Sequence, residues 1–214
     1  MIIRTVAIAT ALLAAPAAAE VVEQTDNGFA TRDTATVDAA PYDVWQALIA
    51  PARWWNDGHT WSGEADNMFL SAQGGGCFCE LLPVRDGTPE GVRRGSAMHM
   101  MVLQADPPSA LRMRGALGPL QSEPVDGVLT VTLAPADDGA TRMVWEYVVG
   151  GHMRFKVPEI ARAVDGVMSQ QLRGLAGLFG GPVARTDPAP EPAALPAPGR
   201  PSVSEAFEGL DEGG

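Results

Sequence analysis

Hydrophobic and polar positions alternate with a period of two along most of this chain, and the alternation ends at Pro158. The alternating runs predict strands over Thr31 to Val37 (starting as early as Phe29), Met68 to Ala72, Cys77 to Leu82 and Ser96 to Gln104. Further runs follow at Ala110 to Ala116, Val128 to Leu133 and Thr141 to Val149. The breaks between them carry turn residues, including Gln73-Gly74-Gly75-Gly76, Asp106-Pro107-Pro108, Gly118-Pro119 and Asp137-Asp138-Gly139. Two stretches follow a helical period. Pro41 opens a short helix that puts Val44, Trp45 and Leu48 on one face, with Asp38 or a neighbour as its cap. After Pro51, Arg53-Trp54-Trp55 begins a second short turn. From Pro158 to about Phe179 a long amphipathic helix aligns Ile160, Val164, Val167, Met168, Leu172, Leu175 and Phe179.

This order of elements predicts an α+β domain: a curved antiparallel sheet, two short helices and one long C-terminal helix packed across the sheet. One helix cannot fill a strongly curved sheet, so a pocket is expected between them. The order of elements joins particular residues: Trp54-Trp55, the glycine-rich turn into Cys77-Phe78-Cys79-Glu80, and the run from Asp106-Pro107-Pro108 through Gly115-Ala116-Leu117-Gly118-Pro119-Leu120-Gln121. In these features the chain resembles the SRPBCC (START-like, helix-grip) superfamily, closest to its bacterial polyketide-cyclase-like and Hsp90-activator-like branches. The resemblance runs from about Phe29 to Phe179. It implies the helix-grip fold and leaves function open, because the superfamily hosts lipid carriers, hormone receptors, cyclases and oxygenase domains.

The two ends of the chain read differently from its middle. Residues 1–19 combine Arg4, an apolar run from Thr5 to Ala15 and the small-residue pattern Ala17-Ala18-Ala19, which is a signal peptide with cleavage before Glu20. The run is short of the ~20 apolar residues of a spanning helix. The expectation is a periplasmic or secreted protein with no membrane span after cleavage. Residues 181–214 are rich in proline, alanine and acid and lack periodicity, so they read as a disordered tail. The domain is then expected over residues 28–180. Of the formal net charge of −11, less than half falls in that segment, and no basic stripe interrupts it. Nucleic acid and anionic membrane surfaces are therefore excluded as partners.

Cys77 and Cys79 are the only cysteines. In a regular strand, residues two apart lie ~6.6 Å from each other on one face. A disulfide wants its Cβ atoms ~3.5–4.5 Å apart, so the pair reads as two buried thiols unless the strand is bulged. No spacing matches a zinc site, no cofactor is implied, and no nucleophile elbow is present. Glu80, Glu146 and His99 fall on predicted strands, where a carboxylate and a histidine could do acid–base work in a cyclase or hydrolase.

The concentration of large rings and thioethers points instead to an adaptable apolar cavity. Its candidate lining is Trp54 and Trp55 from the turn; Met98, His99, Met100, Leu111, Met113 and Arg114 from the middle strands; Met143, Trp145 and Tyr147 from the last strand; and Val164, Met168 and Leu172 from the long helix. Among these His99, Tyr147 and Arg114 would orient a ligand. The reading is an exported, monomeric binding protein for a hydrophobic or amphipathic small molecule. The alternatives are the acid–base enzyme in the same cavity and a protein-interaction module.

Overall fold

A computed structural model of the protein describes residues 20–183. The expected signal peptide, residues 1–19, and all but the first three residues of the expected tail, residues 181–214, lie outside the described residues. The chain divides into two units, residues 1–184 and 185–214; only the first is described.

Eight antiparallel strands make one sheet. They are β1 (Glu20–Gln24), β2 (Gly28–Val37), β3 (Met68–Leu70), β4 (Cys77–Leu82), β5 (Gly95–Asp106), β6 (Ala110–Arg114), β7 (Val125–Pro135) and β8 (Thr141–Gly151), in the order β1-β2-β8-β7-β6-β5-β4-β3. Helix α1 (Pro41–Leu48) follows β2, and helix α2 (Val157–Gly177) ends the domain. Between α1 and β3 the chain makes three short 3-10 turns, Pro51–Arg53, Asp57–His59 and Ala65–Asn67.

Every strand expected from alternation is present, and β2, β6, β7 and β8 bury alternate residues on the concave face. Phe29, Thr31, Asp33, Ala35 and Val37 of β2 are all buried. Across the ladder they face Val149, Tyr147, Trp145, Met143 and Thr141 of β8, which are buried too. Leu129, Val131 and Leu133 of β7 and Leu111 and Met113 of β6 continue the same surface. Strand β1 was not legible. Its sequence, EVVEQ, is almost wholly exposed and carries no apolar alternation to detect. At the other end Val183 donates its amide to the carbonyl of Thr36 at 2.9 Å, so the chain stays attached to β2 beyond Gly180. Helix α1 starts at Pro41 as expected, but its N-cap is Ala40 and no side chain caps it.

Helix α2 packs over β2 and β1, at one side of the sheet. The remainder of the concave face lies beneath α1 and the 3-10 segment, whose Trp54 and Trp55 enter the core. The glycines of α2 show how the two covers meet. A Cβ on Gly174 would come within 2.4 Å of the backbone oxygen of Trp54, whereas Gly166 and Gly177 have open space around that position. Gly174 therefore allows close approach of helix and segment. Alanine at Gly166, exposed in mid-helix, should raise stability by about 0.5–1 kcal/mol through helix propensity. Alanine at Gly174 should lower stability despite the same propensity gain, because it must push the Trp54 backbone away. Urea unfolding of the two variants checks this contrast.

Candidate functional site

Two features share the covered end of the sheet: an apolar hollow and a buried polar pair. The hollow is lined from above by Leu48, Pro51, Trp54 and Trp55. From the sheet it is lined by Leu70, Phe78, Leu111, Met113, Leu129, Val131 and Trp145. Its exposed lining is wholly apolar and its free space is about that of one water molecule. Trp54 is anchored by its indole N–H, which donates to the carbonyl of Ala47 at 2.9 Å; that of Trp55 donates to His59 O at 3.1 Å. The rings meet edge to face, Trp54 on Trp145 at 5.7 Å and Trp55 on Phe78 at 5.1 Å between centroids. The indole N–H of Trp145 is buried and has no protein partner.

The structure thus moves the expected cavity. Trp54, Trp55, Leu111, Met113 and Trp145 come together around the hollow, but no residue of α2 lines it. Val164 is half-buried, and Met168 and Leu172 are buried in the core under the helix. The reason is that α2 packs mainly over β2 and β1, and the other end of the concave face is covered by α1 and the tryptophan segment. Met100 and Met143 are fully buried core residues. Tyr147 is buried and donates to Gly115 O at 3.1 Å, so it closes the core rather than facing the hollow. Met98 is 63% exposed on the outer face, and Arg114 points to solvent beside Asp126 at 3.4 Å. For Arg114 strand alternation gives the reason, since its neighbour Met113 takes the inner face.

Met98 faces outward because of the second feature, a bulge. Phe78 pairs with Met100 while Cys79 pairs with Met98, so His99 is an extra residue in β5. Two successive side chains, His99 and Met100, consequently both point inward. The strand opposite is bent as well: the Cα atoms of Cys77 and Cys79 are 5.4 Å apart and the two residues form a disulfide. The expectation of two free thiols is therefore corrected. A regular strand would have kept them ~6.6 Å apart, and β4 is shortened between them.

The bulged His99 meets Glu80, with Nε2 3.0 Å from Oε2; the two side chains are 3% and 0% exposed. The Glu80 carboxylate also accepts the backbone N–H of Trp61 at 3.0 Å and that of Ser62. Burial alone would raise its pKa, but the hydrogen bonds from Ser62, Trp61 and His99 outweigh burial and hold it below the usual value. Burial pushes the imidazole of His99 down, against the pull of Glu80. A charged carboxylate facing a neutral imidazole assigns the proton to Nε2, leaving the Nδ1 lone pair to accept from Nε2 of Gln121 at 3.2 Å. Gln121 also donates to Met98 O at 3.3 Å and accepts the indole N–H of Trp61 at 3.0 Å. At the α2 side Gln171, fully buried, donates to Nδ1 of His59 at 2.7 Å and accepts from the amide of Asn56 at 3.0 Å. The tryptophan segment is thus held at both ends by polar side chains. Neither Gln121 nor Gln171 was singled out from sequence, because a glutamine carries no pattern that separates such a role from a solvated one. Among the described residues no three metal-ligating side chains converge.

A curved antiparallel sheet gripping one C-terminal helix, with an apolar hollow in its concave face, defines a helix-grip domain of the SRPBCC type. The chain belongs to the family described as polyketide cyclase / dehydrase and lipid transport, whose model matches residues 29–180. No curated protein matches it. Among solved structures, a Staphylococcus aureus protein of unknown function is similar at 15% identity and a TM-score of 0.51, over 72% of this chain and 94% of that one. CalU16 from Micromonospora echinospora is similar at 16% identity and a TM-score of 0.46, over 82% of this chain and 85% of that one. A Rhodobacter sphaeroides protein gives 18% identity and a TM-score of 0.46, over 76% and 97%. At such identity the likeness shows the fold.

The polar pair sets an acid dependence. Because the fold keeps His99 neutral, the unfolded chain takes up a proton near the ordinary value of 6.5 and the folded protein does so only lower. Stability contributed here is lost as pH falls through that value. Glu80 acts in the same direction at lower pH, its contribution lost below the ordinary 4.5. Asp33, raised by burial above 3.8, opposes this by gaining stability as pH falls toward 3.8. The urea midpoint should drop between about pH 8 and about pH 5.5. His99→Gln should flatten that slope; equal slopes in the two proteins would remove His99 from the account.

Proposed function

We propose that this domain binds a hydrophobic or amphipathic small molecule in the hollow beneath Trp54 and Trp55, as an exported monomer. One observation carries the reading. The apolar wall made by Phe78, Leu111, Met113, Leu129 and Val131 is not reached by α2; beyond Leu48 at the end of α1, its cover is a segment of short 3-10 turns. That segment fills the space with two indole rings and is fastened through a handful of polar contacts at Glu80 and Gln171. Displacing such a cover exposes an apolar wall without unfolding the sheet. Each tryptophan buries about 150–250 Å², which an apolar ligand would replace in kind. The lipid-transport part of the family description supports the same class of ligand.

Titration with the apolar dye Nile red tests the reading. The native protein should show one saturable site. Trp55→Ala should bind the dye about tenfold more tightly, a gain of ~1.4 kcal/mol, because it vacates the hollow. The same change should lower stability by roughly 3–5 kcal/mol. Dye binding that appears only in partly unfolded protein would make the hollow an ordinary packed core.

Export rests on the N-terminal pattern and is supported by the Cys77–Cys79 disulfide, a bond that persists in oxidising compartments. N-terminal sequencing of the protein recovered from its native host should begin at Glu20. A membrane-retained form beginning at Met1 would refute this.

A further inference from the structure

The Glu80–His99 pair is built for more than fastening the tryptophan segment. Fastening needs the Glu80 carboxylate, which receives the amides of Trp61 and Ser62; it does not need a histidine whose other nitrogen is turned toward the surface. That nitrogen, Nδ1, is a bare acceptor covered by one side chain, Gln121. The cover is light. Gln121 is only half-buried and stands on the short turn Gly118–Ser122, and its partner Trp61 is 55% exposed. The turn itself is fixed just beyond, where Glu123 accepts from Nε, Nη2 and the backbone amide of Arg154. The Gln121 side chain can therefore leave while the backbone stays.

When Gln121 leaves, His99 Nδ1, the carbonyl of Met98 and the indole N–H of Trp61 lose a partner. Trp61 is exposed and can turn to solvent, whereas buried His99 Nδ1 requires a donor. A hydroxyl supplies that donor, and its oxygen can also accept from Trp61. A carbonyl or carboxylate leaves Nδ1 unsatisfied, and an ammonium offers Trp61 no acceptor. The surroundings are aromatic: Phe78 lies 5.4 Å from the His99 ring and 5.1 Å from Trp55, so a row of rings joins the polar pair to the hollow.

We propose that His99 Nδ1, with Glu80 holding its imidazole and Gln121 standing in for the ligand, is the subsite for an aromatic hydroxyl group. The ligand is then a phenol-type molecule whose O–H donates to Nδ1 and whose ring turns toward the hollow. This deepens the preceding reading and rests on the hollow accepting an apolar body.

Beta-naphthol and its methyl ether, which differ only by the donor, separate the two claims. The native protein should bind the naphthol at least about tenfold more tightly than the ether, the loss expected when a buried acceptor is left unpaired. The Nδ1 resonance of His99, one of three histidines and assignable by difference from His99→Gln, should move with the naphthol and not with the ether. His99→Gln should abolish the preference for the naphthol over the ether. Gln121→Ala, on the surface turn, should strengthen naphthol binding several-fold and decides the matter if His99→Gln fails to fold. Equal affinity for the two probes with an unmoved His99 resonance would overturn the hydroxyl subsite and leave the hollow standing. Failure of both probes to bind would overturn both readings, whereas an unchanged preference in Gln121→Ala combined with a silent His99 would overturn the subsite alone.

Discussion

Glu80 carries its charge where no water reaches it, and the covered end of the domain is organised around that fact. A buried carboxylate is tolerable only when donors surround it. Here they come from two separate parts of the chain: the amides of Trp61 and Ser62 in the covering segment, and the imidazole of His99 in β5. The same atoms that neutralise the cost of burial therefore tie cover to sheet. The bulge that turns His99 inward belongs to this arrangement, since without the extra residue either His99 or Met100 would face outward. Gly115 makes room for it, because a Cβ there would lie 2.4 Å from the carbonyl oxygen of His99.

The sheet has eight strands and α2 lies over only its β1–β2 side, so the rest of the concave face must find another lid. Tryptophan suits that task, covering a large area from a short irregular backbone. The hydrogen bonds within this lid close short turns only, and side chains tie it to the rest, Gln171 toward α2 and Glu80 toward β4 and β5. The contrast between Gly174, pressed against the Trp54 backbone, and Gly166, facing open space, locates where helix and lid must stay close.

How much of this was legible in the sequence follows from which forces leave a periodic trace. Burial against one face writes alternation into β2 and β4 to β8 and a stripe into α2, so those elements and the fold class could be read. Strand β1 buries almost nothing and left no trace. The bulge at His99 inserts one residue without altering composition, so alternation predicted a regular β5 with an inward Met98; the two unbridged cysteines followed from taking β4 as regular. The fourteen cavity candidates were chosen for size and softness. Those properties mark a core as readily as a cavity, which is why Met100, Met143 and Leu172 proved to be packing while Trp54, Trp55, Leu111, Met113 and Trp145 surround the hollow. Glu80 and His99 were noticed as residue types on strands, but their contact depends on the bulge register.

In the proposed binding role, the apolar hollow and the polar pair would be two ends of one site. Trp55, Phe78 and His99 form a continuous row of rings from the hollow to the imidazole, and the loop that supplies Trp54 and Trp55 at one end supplies Trp61 at the other. Lifting that loop would open the apolar wall and uncover the Nδ1 acceptor in a single movement. A ligand with only apolar surface could replace the indole rings but not the hydrogen bonds at Gln121. A ligand with only a hydroxyl could replace Gln121 but would leave the wall exposed to water. The molecule that compensates both losses is amphipathic, with its polar group at the edge of a ring system, and this coupling selects among ligands where the hollow alone would not.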